Sequence, residues 1–298
     1  GQVHRARTHD GRDLAIKVQY PGVRASIDSD IDNVATLLRV PGLMPRDMDL
    51  APILKEAKLQ LHQEADYQSE ARNLTAFHDL LAGSDVFRLP ELHADLSTPQ
   101  VLAMSYVESE PIEALCDAPQ QLRDHVATQL IDLVLSELFT FGLMQTDPNL
   151  ANYRFERTSG RIVLLDFGAV MEIAPDVAEA FRRLLNVALD GHKDEIRSAM
   201  LKIGYFDPAT PPGHQAQIMK MFDAAMAPLR QSEPFDFGTT SLLETLRDMG
   251  LEMADDRDLN HVPPPTTLFL HRKIGGIYLL ATKLKARVGL RPMLERHR

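Results

Sequence analysis

The sequence predicts an α+β fold in two lobes, with a small β-rich N-lobe that also carries long helices and a mainly helical C-lobe. Residues 1–20 alternate between apolar and polar side chains on both sides of an Asp-Gly pair, which is typical of a β-hairpin. Residues 120–141 instead place apolar side chains at helical spacing. We therefore expect an N-lobe over residues 1–104 and, over residues 105–298, a C-lobe that ends in a helical extension.

The composition fits an intracellular type of globular domain. The chain has 298 residues, of which 44% are hydrophobic, enough for one large core or two modest ones. A formal net charge of -10 argues against nucleic acid as the main partner, because neutralising phosphates requires a basic face. The single cysteine, Cys116, excludes a disulfide framework and indicates a reducing compartment. No window approaches the ~18 consecutive apolar residues of a membrane span.

Lys17 lies in an alternating segment, residues 14–18, that is predicted to be a strand. Its Leu-Ala-Ile-Lys context is similar to the Val-Ala-Ile-Lys strand of protein kinases, whose lysine contacts the α- and β-phosphates of ATP. The six residues that open the chain, Gly-Gln-Val-His-Arg-Ala, match the end of a glycine-rich loop and its strand. Glu70, in a predicted helical region over residues 48–81, is the expected ion-pair partner of Lys17.

Asp147 is followed five places later by Asn152, between two apolar segments. A polar turn uses the same residue types, but the spacing is also that of a phosphoryl-transfer loop, where Asp orients the attacking hydroxyl and Asn holds a metal. Asp166 follows a predicted buried strand and opens an Asp-Phe-Gly, a costly place for a charge without a compensating cation. We therefore predict that Asp147 and Lys17 are catalytic. Asn152 and Asp166 are predicted to bind Mg²⁺, and ATP and Mg²⁺ are the predicted cofactors.

The segment that begins at Val101 alternates as a strand and then becomes polar. Such a segment suits the connection between the lobes of a kinase-like fold, where an adenine stacks. Candidate nucleotide contacts there are Met104, Tyr106 and Val107. A second Asp-Phe-Gly, residues 236–238, has no apolar strand before it and is expected to be a loop.

Two features depart from a protein kinase. Gln145 and Thr146 stand where protein kinases carry His-Arg, so the usual receiver for an activation-loop phosphate is absent. An Ala-Pro-Asp follows Asp-Phe-Gly closely at residues 174–176 and leads directly into a helical pattern. Little chain is left for a peptide platform, and we expect ATP to be used with a small or unusual acceptor, or with water.

The motifs GQVHRA, LAIKVQYPGV, EADYQSEARN, MQTDPN and LLDFGA resemble those of the UbiB (AarF-type) protein-kinase-like family, and MQTDPN is similar to its coenzyme Q biosynthesis branch. The resemblance covers nearly the whole chain. It implies an ATP-binding atypical kinase or ATPase that supports ubiquinone biosynthesis at a membrane, with coenzyme Q biosynthesis proteins and a lipid or quinone-precursor ligand as partners. It also implies that Glu64 and Asp66, the family's Glu-x-Asp pair, face the nucleotide site. The family's alanine-rich segment and Lys-x-Gly-Gln extension would precede Gly1, so we expect this sequence to be a fragment.

Two other function classes stay open: a small-molecule phosphotransferase like the aminoglycoside or choline kinases, and a nucleotide-binding pseudokinase scaffold. Residues 271–298 carry eight Lys or Arg side chains and one acidic side chain on an otherwise acidic chain. This pattern predicts docking of the C-terminal region on an anionic membrane. A core helix with solvated or paired basic side chains is the alternative. The expected location is cytoplasmic, or the mitochondrial matrix in a eukaryote, with peripheral membrane association.

Overall fold

A computed structural model describes residues 1–38, 54, 58, 61–254 and 263–298. The chain forms two compact units, each built from two separate stretches. The first unit comprises Gly1–Glu110 and Asn152–Val170, and the second comprises Pro111–Ala151 and Met171–Arg298. The lobe boundary predicted after residue 104 stays a prediction.

The strands of the described residues are β1 (Gln2–Arg7), β2 (Asp13–Val18), β3 (Phe87–Arg88), β4 (Val101–Ser105), β5 (Glu110–Pro111), β6 (Leu143–Gln145), β7 (Tyr153–Glu156), β8 (Arg161–Leu164), β9 (Val170–Glu172), β10 (Phe235–Asp236) and β11 (Arg287–Val288). The α-helices are α1 (Val23–Leu38), α2 (Tyr67–Leu80), α3 (Gln120–Ser136), α4 (Pro175–Asp190), α5 (Lys193–Ile203), α6 (Pro212–Met226), α7 (Leu242–Ala254), α8 (Pro265–Lys283) and α9 (Leu290–Glu295). Most of the strands lie in the first unit, together with the long helices α1 and α2, and the other α-helices lie in the second unit. This arrangement confirms the predicted α+β fold class.

The first sheet has the order β1-β2-β4 and is antiparallel throughout. Its opening hairpin turns at Gly11, whose φ of 95° lies in the left-handed region that glycine adopts without strain. Lys17 pairs with Val3 on one side and with Leu102 on the other, so it sits in the central strand. The predicted hairpin is confirmed, and the central strand fixes the Lys17 backbone on both edges.

A second sheet has the order β3-β8-β7-β5. β7 and β8 form the predicted hairpin around Gly160, while β3 joins β8 in parallel. Ile162 and Val163 of β8 are buried, as expected for an apolar strand. This strand leads directly to Asp166.

α2 is the described end of the helical region predicted over residues 48–81, much of which lies outside the described residues. The Asp66 side chain accepts a hydrogen bond from the Ser69 N–H at 3.0 Å and so caps the helix. Leu74 and Phe77 are fully buried, so the apolar face of α2 packs into the core of the first unit.

In the second unit, α3 buries Val126, Leu130 and Val134, the stripe that predicted it. The helix does not continue regularly to Phe141. One π-helical turn, Glu137–Phe141, replaces its end, and Gly142, with a φ of 66°, stops it before β6. The wider turn carries Glu137 into the interior, where it is 1% exposed.

The second Asp-Phe-Gly agrees with the expected loop in part. Asp236 ends the two-residue strand β10, which pairs with β11, and Phe237 and Gly238 follow in a turn. The Phe235, Phe237 and Tyr278 rings pack together at centroid distances of 4.8 to 6.4 Å. This aromatic cluster provides the packing that stabilises a two-residue strand with no local strand pattern.

Candidate active site

Lys17 lies between two carboxylates of the first unit. Its Nζ donates to Glu70 Oε1 at 3.0 Å, to Glu70 Oε2 at 2.9 Å and to Asp166 Oδ2 at 3.2 Å. The Glu70 side chain is 2% exposed and the Lys17 side chain 19% exposed. The ion pair expected from the sequence is thus present, and the Asp of Asp-Phe-Gly shares its lysine.

The pKa values of Glu70 and Lys17 follow from their burial and from the sharing of one ammonium group by two carboxylates. Burial raises the pKa of Glu70 to about 7, and the nearby Asp166 charge acts in the same direction, against the opposing effect of Lys17. Burial by itself would lower the pKa of Lys17, but Glu70 and Asp166 together raise it above its usual value. Lys17 therefore stays a cation, and its two acidic partners compete for it.

α2 holds Glu70 and the Asp-Phe-Gly segment at the same time. The Asn73 amide donates to the Phe167 carbonyl at 2.9 Å, and the Phe77 and Phe167 rings lie 4.9 Å apart. The Gly168 N–H donates to Asp166 Oδ1 at 2.9 Å, which orients the carboxylate. Sequence reasoning missed Asn73, although its position three residues after Glu70 places both on one helix face.

The Glu-x-Asp pair lies at the start of α2. Asp66 Oδ1 caps the helix, and Asp66 Oδ2 lies 3.7 Å from Arg24 Nη2, whereas the Glu64 side chain is exposed. Tyr67, which no sequence motif pointed to, is buried with its ring centroid 5.3 Å from Lys17 Nζ. Whether the pair contacts a nucleotide stays a prediction.

The three candidate adenine contacts lie in the last part of β4 and just after it. Met104 is buried in β4, paired with Ala15, and Val107 is also buried. The Arg5 guanidinium carbon lies 3.9 Å from the centre of the Tyr106 ring, so one face of this ring carries a cation. Their role in nucleotide binding stays a prediction.

The predicted catalytic loop begins in the second unit. Asp147 Oδ1 accepts from the Asn149 N–H at 3.2 Å, and the Asn149 side chain accepts from the Ala151 N–H at 3.0 Å. Asn152 belongs to the first unit, where its carbonyl accepts from the Leu165 N–H at 3.1 Å, next to Asp166 in sequence. Asp147 and Asn152 are thus each held by backbone hydrogen bonds.

A lysine–glutamate pair on a central strand and a helix, with an Asp-Phe-Gly carboxylate beside it, defines a protein-kinase-like domain. Residues 1–200 match the profile of the ABC1 atypical kinase-like domain. The chain belongs to this family.

Similar proteins cover nearly the whole chain. It is 36% identical to "Atypical kinase coq-8, mitochondrial" of Caenorhabditis elegans over 97% of its length, and 34% identical to "Atypical kinase COQ8, mitochondrial" of Saccharomyces cerevisiae over the same share. The chain spans 38% and 58% of the lengths of these two relatives.

A solved structure shares the fold. The Rv3197–erythromycin complex from Mycobacterium tuberculosis superimposes with a TM-score of 0.75 at 23% identity, over 99% of this chain and 73% of that one. Among the helices of the described residues, none is both long and apolar enough to cross a membrane.

Proposed function

We propose that this chain is an Mg-ATP-dependent atypical kinase or ATPase domain that supports ubiquinone biosynthesis. The observation that carries the proposal is the Lys17–Glu70–Asp166 cluster, held by α2. A buried glutamate fixes the lysine ammonium, which is the arrangement that presents a lysine to the α- and β-phosphates. The family and its atypical kinase relatives support the same activity.

The residues present fit a magnesium ion. Asn152 and Asp166 offer an amide carbonyl and a carboxylate, the oxygen ligands that Mg²⁺ prefers. When bound, Mg²⁺ would neutralise charge on the phosphates and complete its shell with phosphate oxygens and water. Asp166 now shares Lys17 with Glu70, so a cation on Asp166 would release the lysine toward the phosphates.

Asp147 takes the role of the residue that orients the acceptor. Its carboxylate would accept a hydrogen bond from an attacking hydroxyl or water and hold that oxygen in line with the γ-phosphate. Glu64 and Asp66, at the start of α2, are proposed to face the same nucleotide. The class of acceptor stays open between a small molecule, a lipid, a protein and water, and a lipid or quinone precursor is proposed as a ligand of the domain.

We further propose that the domain works as a peripheral membrane protein with coenzyme Q biosynthesis proteins, on the cytoplasmic or matrix side. Leu268 and Leu279 of α8 are 43% and 53% exposed, and exposed Arg272 lies between them. Residues 268, 272 and 279 fall on one helix face. Apolar side chains beside a cation suit the surface of an anionic bilayer.

Thermal unfolding with and without Mg-ATP tests the nucleotide and metal assignment. At a hundredfold excess over its Kd, Mg-ATP should raise the apparent stability by about 2.7 kcal/mol. Asp166→Asn should lose most of the magnesium-dependent part of this gain. Wild-type protein should release phosphate from ATP when water is the acceptor, and the assay is run with and without lipid.

The chain supplies a matched control in its second Asp-Phe-Gly. Asp236 Oδ1 accepts from the Gly238 N–H at 2.9 Å, the same local geometry as Asp166 and Gly168, but Asp236 is paired with Arg287. Asp236→Asn should therefore keep the full Mg-ATP shift. Equal losses in both variants, or no shift in the wild type, would refute the assignment.

A further inference from the structure

A buried ion pair lies in the second unit, outside the proposed nucleotide-binding cluster. Lys273 Nζ on α8 lies 3.2 Å from Glu137 Oε2, and both side chains are 1% exposed. The free energy lost when two charges leave water is about as large as the free energy gained from their attraction. A buried pair is therefore weak evidence of a contribution to stability. The contacts of Lys273 and Glu137 with other residues indicate a further role for the pair.

Both members of the pair contact Gln145. Lys273 Nζ donates to Gln145 Oε1 at 2.9 Å, while the Glu137 carboxylate accepts from the Gln145 backbone N–H. The Gln145 amide nitrogen in turn donates to the Asp147 carbonyl at 3.0 Å. A lysine has only donors and a carbonyl only acceptors, so the orientation of the Gln145 amide is fixed at both ends.

Gln145 stands two residues before the predicted catalytic Asp147, where protein kinases carry the histidine of His-Arg-Asp. We propose that Lys273 and Glu137 are positioning residues that hold the backbone of Asp147 through Gln145. The inference rests on the proposed function, in which Asp147 orients the acceptor. The proposal gives α8, which lies beyond the residues 1–200 that match the family profile, a part in the reaction.

A second contact ties α8 to the same loop. A Cβ added to Gly276 would lie 2.6 Å from Pro148 Cβ and 3.2 Å from the Pro148 carbonyl, so the helix backbone approaches the loop more closely than a side chain allows. Gly276 and Lys273 are one helical turn apart and face the same way. α8 therefore contacts the residues on both sides of Asp147 in sequence.

The π-helical turn explains how Glu137 reaches this position. The turn begins at Glu137 and ends at Phe141, and after Gly142 the strand β6 runs directly to Gln145. A regular α-helical turn would rotate Glu137 relative to β6. The π-helical turn and the buried Lys273–Glu137 pair thus both contribute to the contact between Glu137 and Gln145.

The test replaces the pair with apolar side chains of similar volume. The double variant Lys273→Met/Glu137→Met removes both charges and leaves no lone buried ion, so it should fold with a Tm near that of the wild type. We expect an unchanged Mg-ATP affinity and a kcat for phosphate release at least tenfold lower. Exchange of the amide hydrogens of residues 145–147 and 149 in the ATP-free protein should become at least tenfold faster.

A cycle with Gln145→Met tests the route through this residue. If the pair acts through Gln145, the losses in kcat do not add, and Lys273→Met/Glu137→Met/Gln145→Met should resemble the more impaired parent variant. Additive losses would overturn the proposal.

Arg230→Met serves as the control, because Arg230 is an ion-paired cation of the second unit that bonds Asp223 at 2.6 Å. It should leave kcat and loop exchange unchanged. Unchanged exchange at residues 145–147 and 149 in the double variant, or faster exchange with wild-type kcat, would overturn the positioning role. Absence of ATP binding and phosphate release in the wild type would instead overturn the proposed function, and the exchange result separates the two failures.

Discussion

At the scale of single residues, a substitution at Asp147 tests its proposed role in catalysis separately from nucleotide binding. Asp147→Asn keeps the size of the side chain and an acceptor for the Asn149 N–H, but it should weaken the proposed hydrogen bond from an attacking hydroxyl. We expect kcat for phosphate release to fall at least a hundredfold, while the Kd for Mg-ATP changes less than threefold, because the interaction is made mainly in the transition state. Nucleotide titration and steady-state kinetics measure the two quantities. Parallel losses in both would mean that Asp147 builds the pocket instead.

From the buried pair of Lys273 and Glu137, we predict that the stability of the Lys273→Met variant depends on pH. Removing one member of a buried pair costs about 3–5 kcal/mol, because the other charge is left alone. Burial already raises the pKa of Glu137 above its ordinary 4.5 in opposition to Lys273, and Lys273→Met should raise it further. The folded variant then holds a proton that the unfolded chain releases above about pH 4.5, so its stability falls as pH rises.

The Tm difference between wild type and Lys273→Met should therefore be larger at pH 8 than at pH 5.5. Thermal unfolding at both pH values measures it, with Lys273→Met/Glu137→Met as the control that lacks the carboxylate. Within the described part of the chain, Glu137 faces Lys273 and the Gln145 N–H, and neither of these groups is a carboxylate that would titrate in the same range. A difference that is equal at both pH values would contradict the expected protonation.

At the scale of elements, the cap of α2 links stability to the site. Asp66→Ala removes the acceptor for the Ser69 N–H and should destabilise the protein by about 1 kcal/mol. Asp66→Asn retains a good cap, so it should stay within a few tenths of a kcal/mol of the wild type. Denaturant unfolding of both variants measures the contribution of the cap to the free energy of unfolding. If Asp66 also faces the nucleotide, as proposed, Asp66→Asn should alter Mg-ATP affinity without altering stability.

Elements with local signals were predictable, and long-range contacts were predictable only through motifs. The hairpins and α3 follow from alternation and helical spacing, and the Lys17 and Glu70 pair from motif order. Lys273 gave no such signal, because a lysine in an apolar helix also suits a membrane surface, and its partner Glu137 lies 136 residues away in sequence. Its burial is decided by tertiary contacts, and it removes this lysine from the basic surface expected for the C-terminal region.

At the scale of the whole molecule, the uneven charge leads to a membrane-binding prediction. The chain carries a net charge of -10, yet the exposed face of α8 presents Arg272 between Leu268 and Leu279. Lys283 lies 3.3 Å from Glu113 and Arg287 3.2 Å from Asp236, so part of the C-terminal basic charge is paired within the protein. Apolar insertion should therefore contribute as much as charge.

Sedimentation with anionic vesicles should show binding at low salt that weakens as salt rises, with about 1 kcal/mol from each basic residue near the surface. Leu268→Ser/Leu279→Ser should reduce this binding at least fivefold. Leu251→Ser, at a leucine that is 61% exposed on α7, is the matched control and should bind like the wild type. Equal binding of all three proteins would leave the exposed face of α8 without a role in docking.

The discontinuous first unit has a consequence for how the protein is made. Its parallel pairing of Phe87 with Ile162 joins strands that leave the ribosome far apart in time. At about 5–20 residues per second, the chain from residue 110 to residue 164 takes roughly 3 to 10 s to emerge. Throughout that interval the nascent first unit exposes the unpaired edge of β3, and Lys17 is without its partner Asp166, which has not yet been synthesised. This intermediate must therefore be kept soluble while translation continues. A chain released before residue 164 never acquires the strands that complete the first unit.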